Sequence, residues 1–315
     1  MIPSPTETLN LGKSELQISL MGVGAWAWGD RYMWNYGSSH NEGDVKAAFL
    51  ATLNGGINLI DTAEVYGMGR SERLLSELIQ EKRDSLVIAS KFMPFPWRLS
   101  KNSLLRALRG SLKRLNLKTL DLYQIHFPLP PMPVEKWANA LADAVEMGLT
   151  KTVGVSNYDE SQLRRTHATL AQRGVALASN QVEYSLLDRK VELNGLLNAC
   201  QELGITLIAY SPIAKGMLTG KYTPENPPPG LRSRMYNRNL LTQIQPLIRE
   251  MRRIGDQHGG KTPSQVALNW LICKGSVPIP GAKNVRQAEE NAGALGWRLS
   301  DEQVAILDRM SQELK

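Results

Sequence analysis

Residues 58–67 read Asn58-Leu59-Ile60-Asp61-Thr62-Ala63-Glu64-Val65-Tyr66-Gly67, a short apolar run followed by a carboxylate and then a tyrosine. A similar pattern recurs twice downstream. Lys91 directly follows the apolar run 86–90, and His126 directly follows the run 122–125. Short apolar runs of this kind predict buried strands. We therefore expect three successive strands to place a phenol, an ammonium and an imidazole at one edge of a sheet.

The residue types at this edge suit proton transfer to the oxygen of a substrate carbonyl group while another group attacks the carbonyl carbon. Tyrosine is a poor acid at neutral pH, but a nearby cation favours its ionised form. We therefore expect Lys91 to lower the pKa of Tyr66. Structural alternatives exist for each residue. Asp61 and Lys91 suit a buried ion pair that joins strand ends, Tyr66 suits an ordinary loop tyrosine, and His126 suits a hydrogen-bonded core histidine. The four together favour catalysis.

Apolar runs alternate with helical patterns along the whole chain. The predicted strands are 20–23, 57–60, 86–90, 120–125, 152–155, 178–182, 206–209 and 277–279. This alternation predicts an α/β fold, a closed (β/α)8 TIM barrel, as a single domain over residues 1–315. Residues 8–20 alternate around a Gly-Lys-Ser turn and predict an N-terminal β-hairpin. Ser300 and Gln303 predict a capping box for a C-terminal helix. The long loops 26–41 and 211–239 are expected at the top of the barrel.

Composition excludes several classes of function. The chain has 315 residues, of which 42% are hydrophobic and 21% charged, an ordinary soluble mixture. The net charge of +7 suits either a solubilising surface or a basic mouth that attracts a phosphorylated cofactor. Its basic residues are spread along helices, so we expect no nucleic acid partner. No apolar run approaches the ~20 residues of a membrane helix, and the N-terminus resembles no signal peptide.

The histidines and cysteines bear on metal binding and on cellular location. Of the four histidines, only His126 ends a predicted strand, so a metal-dependent hydrolase is not expected. The two cysteines, Cys200 and Cys273, lie in amphipathic helical runs and suit reduced thiols of a cytoplasmic protein. The sequence does not fix the oligomeric state and is compatible with a monomer.

The chain resembles the aldo-keto reductase superfamily, whose tetrad is Asp, Tyr, Lys and His in this order. The resemblance continues through Gly154-Val155-Ser156-Asn157, Asn180-Gln181-Val182-Glu183-Tyr184, Ala209-Tyr210-Ser211-Pro212 and Ile279-Pro280-Gly281-Ala282-Lys283. It is closest to plastid-type and cyanobacterial NADPH-dependent members. The resemblance implies that Tyr66 protonates a carbonyl oxygen of a small-molecule substrate. It also implies that Lys91, held by Asp61, lowers the pKa of the tyrosine, and that His126 orients the substrate.

The resemblance also implies where NADPH binds. Ser156, Asn157 and Gln181 match the residues that hold the carboxamide, and Tyr210 matches the one that stacks on nicotinamide. Further cofactor contacts are expected at Ser211, Pro212, Gly216, Leu218, Gly281, Ala282, Lys283, Arg286, Gln287, Glu290 and Asn291. The last of these residues open a helix after the eighth strand, where helix N-termini favour anions. One departure concerns Gln287, because many members have arginine four residues before the asparagine.

The sequence also contains a glycine motif and a set of aromatic residues near the predicted site. Residues 22–27 formally match a dinucleotide fingerprint, but aromatic residues follow instead of a helix, so we interpret the match as accidental. Aromatic walls suit apolar aldehydes, and the expected pocket residues are Trp26, Trp34, Phe92 and Phe127, with Trp28 and Trp97 as further candidates. The alternative function is a catalytically slow, nucleotide-binding redox sensor, because channel β-subunits share this fold.

Overall fold

A barrel of eight parallel strands dominates the structure, a computed structural model that describes residues 7–228 and 237–314. The predicted loop 211–239 therefore falls partly outside the described residues. The strands are β1 (Thr8–Asn10), β2 (Gln17–Ser19), β3 (Gly22–Gly24), β4 (Leu59–Asp61), β5 (Val87–Phe92), β6 (Leu120–Ile125), β7 (Thr150–Ser156), β8 (Leu177–Glu183), β9 (Thr206–Tyr210) and β10 (Val277–Pro278).

Strands β3 to β10 pair in chain order, and all of their pairings are parallel. The backbone N–H of Gly24 donates to the carbonyl of Pro280 at 3.1 Å, which joins the end of β3 to the segment after β10. The first and last barrel strands are thus neighbours. This arrangement confirms the predicted (β/α)8 barrel.

Helices alternate with the barrel strands. They are α1 (Glu42–Asn54), α2 (Arg70–Ile79), α3 (Lys101–Leu115), α4 (Val134–Glu146), α5 (Glu160–Ala171), α6 (Lys190–Leu193), α7 (Leu196–Leu203), α8 (Arg238–Gln257), α9 (Pro263–Cys273), α10 (Val285–Ala292) and α11 (Asp301–Gln312). The predicted capping box of α11 is present, because the Ser300 hydroxyl accepts from Gln303 N–H and the Gln303 side chain accepts from Ser300 N–H. No described helix is long and apolar enough to cross a membrane.

The N-terminal hairpin closes one end of the barrel. Strands β1 and β2 pair antiparallel, as the sequence predicts. Leu11 and Ile18 are fully buried and belong to one core cluster with side chains of the barrel strands, including Leu59 and Leu122. Gly12 turns beneath the barrel at a φ of +58°, and a Cβ there would lie 2.5 Å from the Ala178 carbonyl oxygen. The turn therefore requires glycine, both for its left-handed backbone and for this close approach.

The layer above this core carries the functional side chains. Along a strand, alternate residues point to the same side. Leu59, Ala89 and Leu122 belong to the lower core cluster. Two positions further along their strands stand Asp61, Lys91 and Gln124. The barrel therefore stacks a polar layer directly on an apolar one, at the carboxyl ends of the strands.

Candidate active site

Lys91 is the centre of the polar layer. Its side chain is fully buried. The ammonium donates to the Asp61 carboxylate, to the Thr62 carbonyl at 3.0 Å and to the Tyr66 hydroxyl oxygen at 3.2 Å. An ammonium has three hydrogens, and these contacts use all of them. Lys91 therefore joins the carboxylate to the phenol, as the sequence reasoning expects, and leaves the Tyr66 O–H free to donate elsewhere.

Two glutamines hold the other oxygen of Asp61. The Gln181 amide donates to it at 2.8 Å and the Gln124 amide at 3.3 Å. Ser179 in turn donates to the Gln124 side-chain oxygen at 3.3 Å. The sequence reasoning missed Gln124, although its position just before His126 on an inward-facing layer is a usable signal. These bonds fix the carboxylate that fixes Lys91, and they connect Gln181 to the tetrad.

The pKa of Tyr66 lies above its ordinary value of 10.0. Burial raises it, the Lys91 cation lowers it, and the Asp61 carboxylate raises it again. Lys91 thus lowers the pKa of Tyr66 as expected, but the net shift is upward, because the loss of solvation outweighs the neighbouring cation. At neutral pH the phenol keeps its proton. The pKa of Lys91 is also raised, since Asp61 and Tyr66 together outweigh the lowering caused by burial.

His126 completes the tetrad as a neutral ring. Burial and, to a smaller degree, the Lys91 cation lower the pKa of His126 to about 3. Its ring meets the Tyr66 ring edge-on at 5.8 Å and stacks on Phe127 at 5.2 Å. Within the described residues, the buried Nδ1 atom has no hydrogen-bond partner. A neutral imidazole carries one N–H, which is a suitable donor to an uncharged oxygen.

The residues expected to hold a carboxamide are already assembled by hydrogen bonds. Asn157 donates to the His126 carbonyl at 3.1 Å and accepts from the Tyr210 hydroxyl at 3.0 Å. Ser156 donates to the Gln181 carbonyl at 2.7 Å. The pKa of Tyr210 is raised to about 12, chiefly by burial, so its hydroxyl remains a donor. This preassembly reduces the ordering that a bound amide would otherwise require.

One cleft of about 940 Å³ contains the tetrad's exposed edge and most of the expected cofactor residues. The predicted members on its wall are Asp61, Tyr66, His126, Ser156, Asn157, Gln181, Tyr210, Ser211, Pro212, Gly216, Gly281, Lys283, Arg286, Gln287, Glu290 and Asn291. Leu218 and Ala282 are fully buried behind this wall. The sequence reasoning missed Lys215 and Lys221, two cations that the loop after β9 brings to the same wall.

The far end of the cleft lies at the start of α10. Asn284 caps this helix by accepting from Gln287 N–H at 3.1 Å. The Gln287 side chain accepts from the Lys283 backbone N–H at 2.8 Å, so the residue that departs from the usual arginine has a structural role here. Asn291 donates to the Gly281 carbonyl at 3.2 Å. Helix N-termini with nearby cations are suited to phosphate, and Arg286 is exposed at this position.

Aromatic rings form another part of the cleft wall. Trp26, Trp34 and Phe127, which the sequence suggests for the substrate pocket, line the cleft. Trp26 stacks on Tyr66 with ring centroids 6.0 Å apart. Phe92 lies outside the cleft, because the residue after an inward-facing Lys91 must point outward, where its buried ring contacts Trp137 at 5.1 Å.

The two remaining candidates for the aromatic wall lie elsewhere. Trp28 is fully buried and donates to the Ala282 carbonyl at 2.8 Å. Trp97 is 77% exposed and stacks on Phe95.

Comparison with known proteins places this geometry in a family. The family model described as "Aldo/keto reductase family" matches residues 20–312. The chain belongs to the aldo/keto reductase family. A curated relative from Arabidopsis thaliana, named "Pyridoxal reductase, chloroplastic", is 42% identical over 323 residues, which cover 98% of this chain and 87% of the relative.

Two solved structures show the same fold. An aldo/keto reductase from Klebsiella pneumoniae, in complex with NADP and acetate, is 29% identical and covers 98% of this chain and 95% of its own, with a TM-score of 0.76. A glycerol dehydrogenase from Gluconobacter oxydans is 26% identical, and the match covers 96% of this chain and 94% of the dehydrogenase, with a TM-score of 0.83. The chain is therefore an oxidoreductase of the aldo/keto reductase type.

Within this aldo/keto reductase, the glycine motif of residues 22–27 has a structural role. Gly22–Gly24 form β3, and a short 3-10 turn over residues 25–27 follows in place of a long helix. A Cβ on Gly22 would lie 2.9 Å from the Leu59 carbonyl oxygen. Close packing against β4, and against Ile279 at 3.0 Å on the closure side, accounts for that glycine without a bound dinucleotide.

Proposed function

We propose that this aldo/keto reductase reduces aldehydes and ketones with NADPH and that Tyr66 is the general acid. The observation that carries the proposal is the buried Lys91 ammonium, which donates at once to Asp61 and to the Tyr66 oxygen. This contact leaves the Tyr66 proton directed to another acceptor. Bound NADPH would supply the hydride, which is chemistry that side chains cannot perform.

The proton chemistry follows from the charges around Tyr66. A substrate carbonyl oxygen would accept from the Tyr66 O–H and from the neutral His126 ring. As negative charge develops on that oxygen, the proton leaves Tyr66, and the resulting phenolate lies beside the Lys91 cation. Asp61 keeps the ammonium in place throughout. The raised pKa of Tyr66 ensures that the phenol is protonated before a substrate arrives.

The cleft residues fit NADPH at both of its ends. We propose that Ser156, Asn157 and Gln181 hold the nicotinamide amide and that Tyr210 packs on the ring. At the other end, the capped start of α10 with Lys283 and Arg286 would hold the 2′-phosphate, since charge-assisted hydrogen bonds favour phosphate over a neutral hydroxyl. The 2′-phosphate distinguishes NADPH from NADH, so this end of the cleft is the basis of the proposed preference.

We propose an aromatic aldehyde as the substrate, with pyridoxal as the first candidate. The Arabidopsis relative bears the name of a pyridoxal reductase at 42% identity. Trp26 and Phe127 flank the tetrad and offer flat apolar surfaces to an aromatic ring.

The test measures NADPH oxidation with pyridoxal and with benzaldehyde. Tyr66→Phe should lower the rate of the chemical step by about 10²- to 10⁴-fold, because proton donation is lost, while NADPH affinity stays near the wild-type value. Tyr123→Phe is the matched control. It removes another buried hydroxyl, which has no hydrogen-bond partner among the described residues, and it should leave the rate unchanged. Near-native turnover by Tyr66→Phe would contradict the assignment.

The same assay separates the reductase from the redox-sensor alternative. Tight NADPH binding without oxidation by any aldehyde would favour the sensor. We further propose a cytoplasmic location, which the two free thiols Cys200 and Cys273 support, since reducing compartments keep thiols unpaired. Fractionation of the source cells tests that location.

A further inference from the structure

Lys283 and Trp34 join the phosphate end of the cleft to its aromatic wall. The Lys283 ammonium donates to the Trp34 carbonyl at 3.0 Å and lies 4.8 Å from the centre of the Trp34 ring. Lys283 belongs to the end of the cleft where a phosphate would bind, whereas Trp34 belongs to the aromatic wall. A residue of the anion site therefore holds a residue of the substrate site directly.

A series of ring contacts continues from Trp34 to the acid. The Trp34 and Trp26 rings meet edge-on, with centroids 5.6 Å apart and an angle of 84° between their planes. Trp26 then stacks on Tyr66 at 6.0 Å and 24°. Aromatic pairs at these distances interact favourably and constrain each other's orientation. The position of Trp34 therefore influences the surface against which a substrate ring would pack beside Tyr66.

The loop that carries both tryptophans is anchored on either side of Trp34. Asp30 accepts from the backbone N–H groups of Tyr32 and Met33 at 3.0 and 2.8 Å. His40 contacts the Ala27 carbonyl at 2.8 Å. Trp34 itself has only light polar support among the described residues. Its carbonyl accepts from Lys283 and from Ser39, and its buried indole N–H has no partner within residues 7–228 and 237–314.

We propose that Trp34 is a positioning residue that makes carbonyl binding depend on the cofactor's 2′-phosphate, an inference that rests on the proposed function. An ammonium has three hydrogens, so Lys283 can donate to a phosphate and to the Trp34 carbonyl together. A bound phosphate would add a charge-assisted hydrogen bond to the contacts that Lys283 already makes and restrict its side chain further, and this lysine holds Trp34 and, through it, Trp26. NADH lacks this phosphate and leaves the wall less ordered. NADPH therefore prepares the aldehyde site as well as supplying hydride.

The experiment measures binding linkage in an unreactive ternary complex. Benzyl alcohol, the product of benzaldehyde reduction, cannot react with a reduced cofactor. The dissociation constants of NADPH and NADH are measured by fluorescence, each with and without saturating benzyl alcohol. In the wild-type protein, benzyl alcohol should tighten NADPH binding about fivefold more than it tightens NADH binding, which is a typical coupling between sites.

The variants separate this linkage from phosphate binding itself. In Lys283→Met and in Trp34→Ala, benzyl alcohol should tighten both cofactors equally. Arg286→Met weakens NADPH binding but should keep the wild-type difference, because the hydrogen bonds and ring contacts of Trp34 in the described part of the chain involve Lys283, Ser39 and Trp26 and not Arg286. Tyr32→Ala, an 89% exposed aromatic residue of the same loop, should also keep it.

Three results would overturn the proposal. They are equal or absent enhancement in the wild-type protein, a difference that persists in Lys283→Met, and a difference that persists in Trp34→Ala. Benzaldehyde turnover with NADPH is measured on the same wild-type sample. Intact turnover with equal enhancement rejects only the role of Trp34, whereas absent turnover rejects the proposed reductase.

Discussion

Replacement of Lys91 by methionine tests the centre of the site through stability as well as rate. The side chains are similar in length, but methionine removes the ammonium from a fully buried position. Asp61 is itself only 2% exposed, and one of its oxygens would lose its charged partner. The other oxygen keeps its bonds to Gln181 and Gln124. The variant therefore contains a buried carboxylate that is only half satisfied.

The expected loss follows from that uncompensated charge. Removing one partner of a buried ion pair typically costs about 3–5 kcal/mol. Adding Asp61→Asn to Lys91→Met removes the charge and should restore most of the loss. Activity should not return in the double variant, because no cation then faces Tyr66. The double variant is thus predicted to recover stability without recovering turnover, which a general loss of structure would not produce.

The assay is urea unfolding followed by circular dichroism, with turnover measured on the same samples. Lys151→Met is the matched control, because Lys151 also pairs with a buried carboxylate, Asp121. The Lys151 side chain is 53% exposed, and Asp121 keeps its partner Arg83 at 2.8 Å, so this variant should lose no more than about 1 kcal/mol. Equal losses in the two lysine variants, or no recovery in the double variant, would refute the reasoning.

The Lys91 contribution should also depend on pH in one direction. The pKa of Lys91 is raised in the folded protein. Its stabilisation is therefore complete below the pKa of a lysine in the unfolded chain, and it is lost as the pH rises through the folded pKa. The wild-type protein should lose stability in alkaline solution more steeply than the double variant does.

Three further perturbations have defined outcomes. Alanine at both Lys283 and Arg286 should weaken NADPH binding about tenfold or more per lost contact and leave NADH binding nearly unchanged, as measured by fluorescence titration. The pKa of His126 is lowered from 6.5 to about 3, so its neutral ring stabilises the fold fully above pH 6.5 and progressively less as the pH falls towards 3. His126→Phe should lack this acid loss in urea unfolding at several pH values. Gly255→Ala should cost about 1–3 kcal/mol of unfolding free energy, because the new Cβ would lie 1.9 Å from the Lys261 carbonyl oxygen.

Each of these three predictions has a result that would contradict it. Equal loss of NADPH and NADH affinity would mean that the two cations support the adenine pocket. If the unfolding free energy of His126→Phe fell in acid as steeply as that of the wild-type protein, the group that titrates would be another residue. Gly110→Ala is the matched helical glycine, since its Cβ would lie 3.3 Å from the flexible end of Arg114. It should be neutral or stabilising by the helix propensity of alanine, and an equal loss at Gly255 and Gly110 would contradict the steric argument.

The barrel and the tetrad were predictable because their signals are local. Each strand is a short apolar run, and Leu120–Ile125 coincides with its predicted bounds. Asp61 and Lys91 lie in the last two residues of β4 and β5, His126 directly follows β6, and adjacent parallel strands bring such positions together. The position of Phe92 was predictable by the same rule, since neighbours on a strand face opposite ways. Residue type alone suggests Phe92 for the pocket, whereas the alternation along β5 directs its side chain outward.

The pKa of Tyr66 was not predictable from the sequence. Its direction depends on how much solvation the phenol loses against the attraction of a single cation. Those two effects oppose each other and are each set by the depth of the site. The sequence identifies the cation but not the depth. Residue types thus predicted the contact between Lys91 and Tyr66 but not the balance of forces on the proton.

The contact between Lys283 and Trp34 joins residues far apart in the chain, yet barrel closure accounts for it. β3 is the first barrel strand and β10 the last, and closure makes them neighbours. The loop after β3 carries Trp34, and the segment after β10 carries Lys283, so closure places the aromatic wall beside the phosphate end. The linkage between phosphate and aldehyde wall would therefore depend on the pairing of the first and last strands. Gly22→Ala, whose new Cβ would lie 3.0 Å from the Ile279 side chain at that closure, should reduce the difference between NADPH and NADH even though Gly22 itself lies outside the cleft wall.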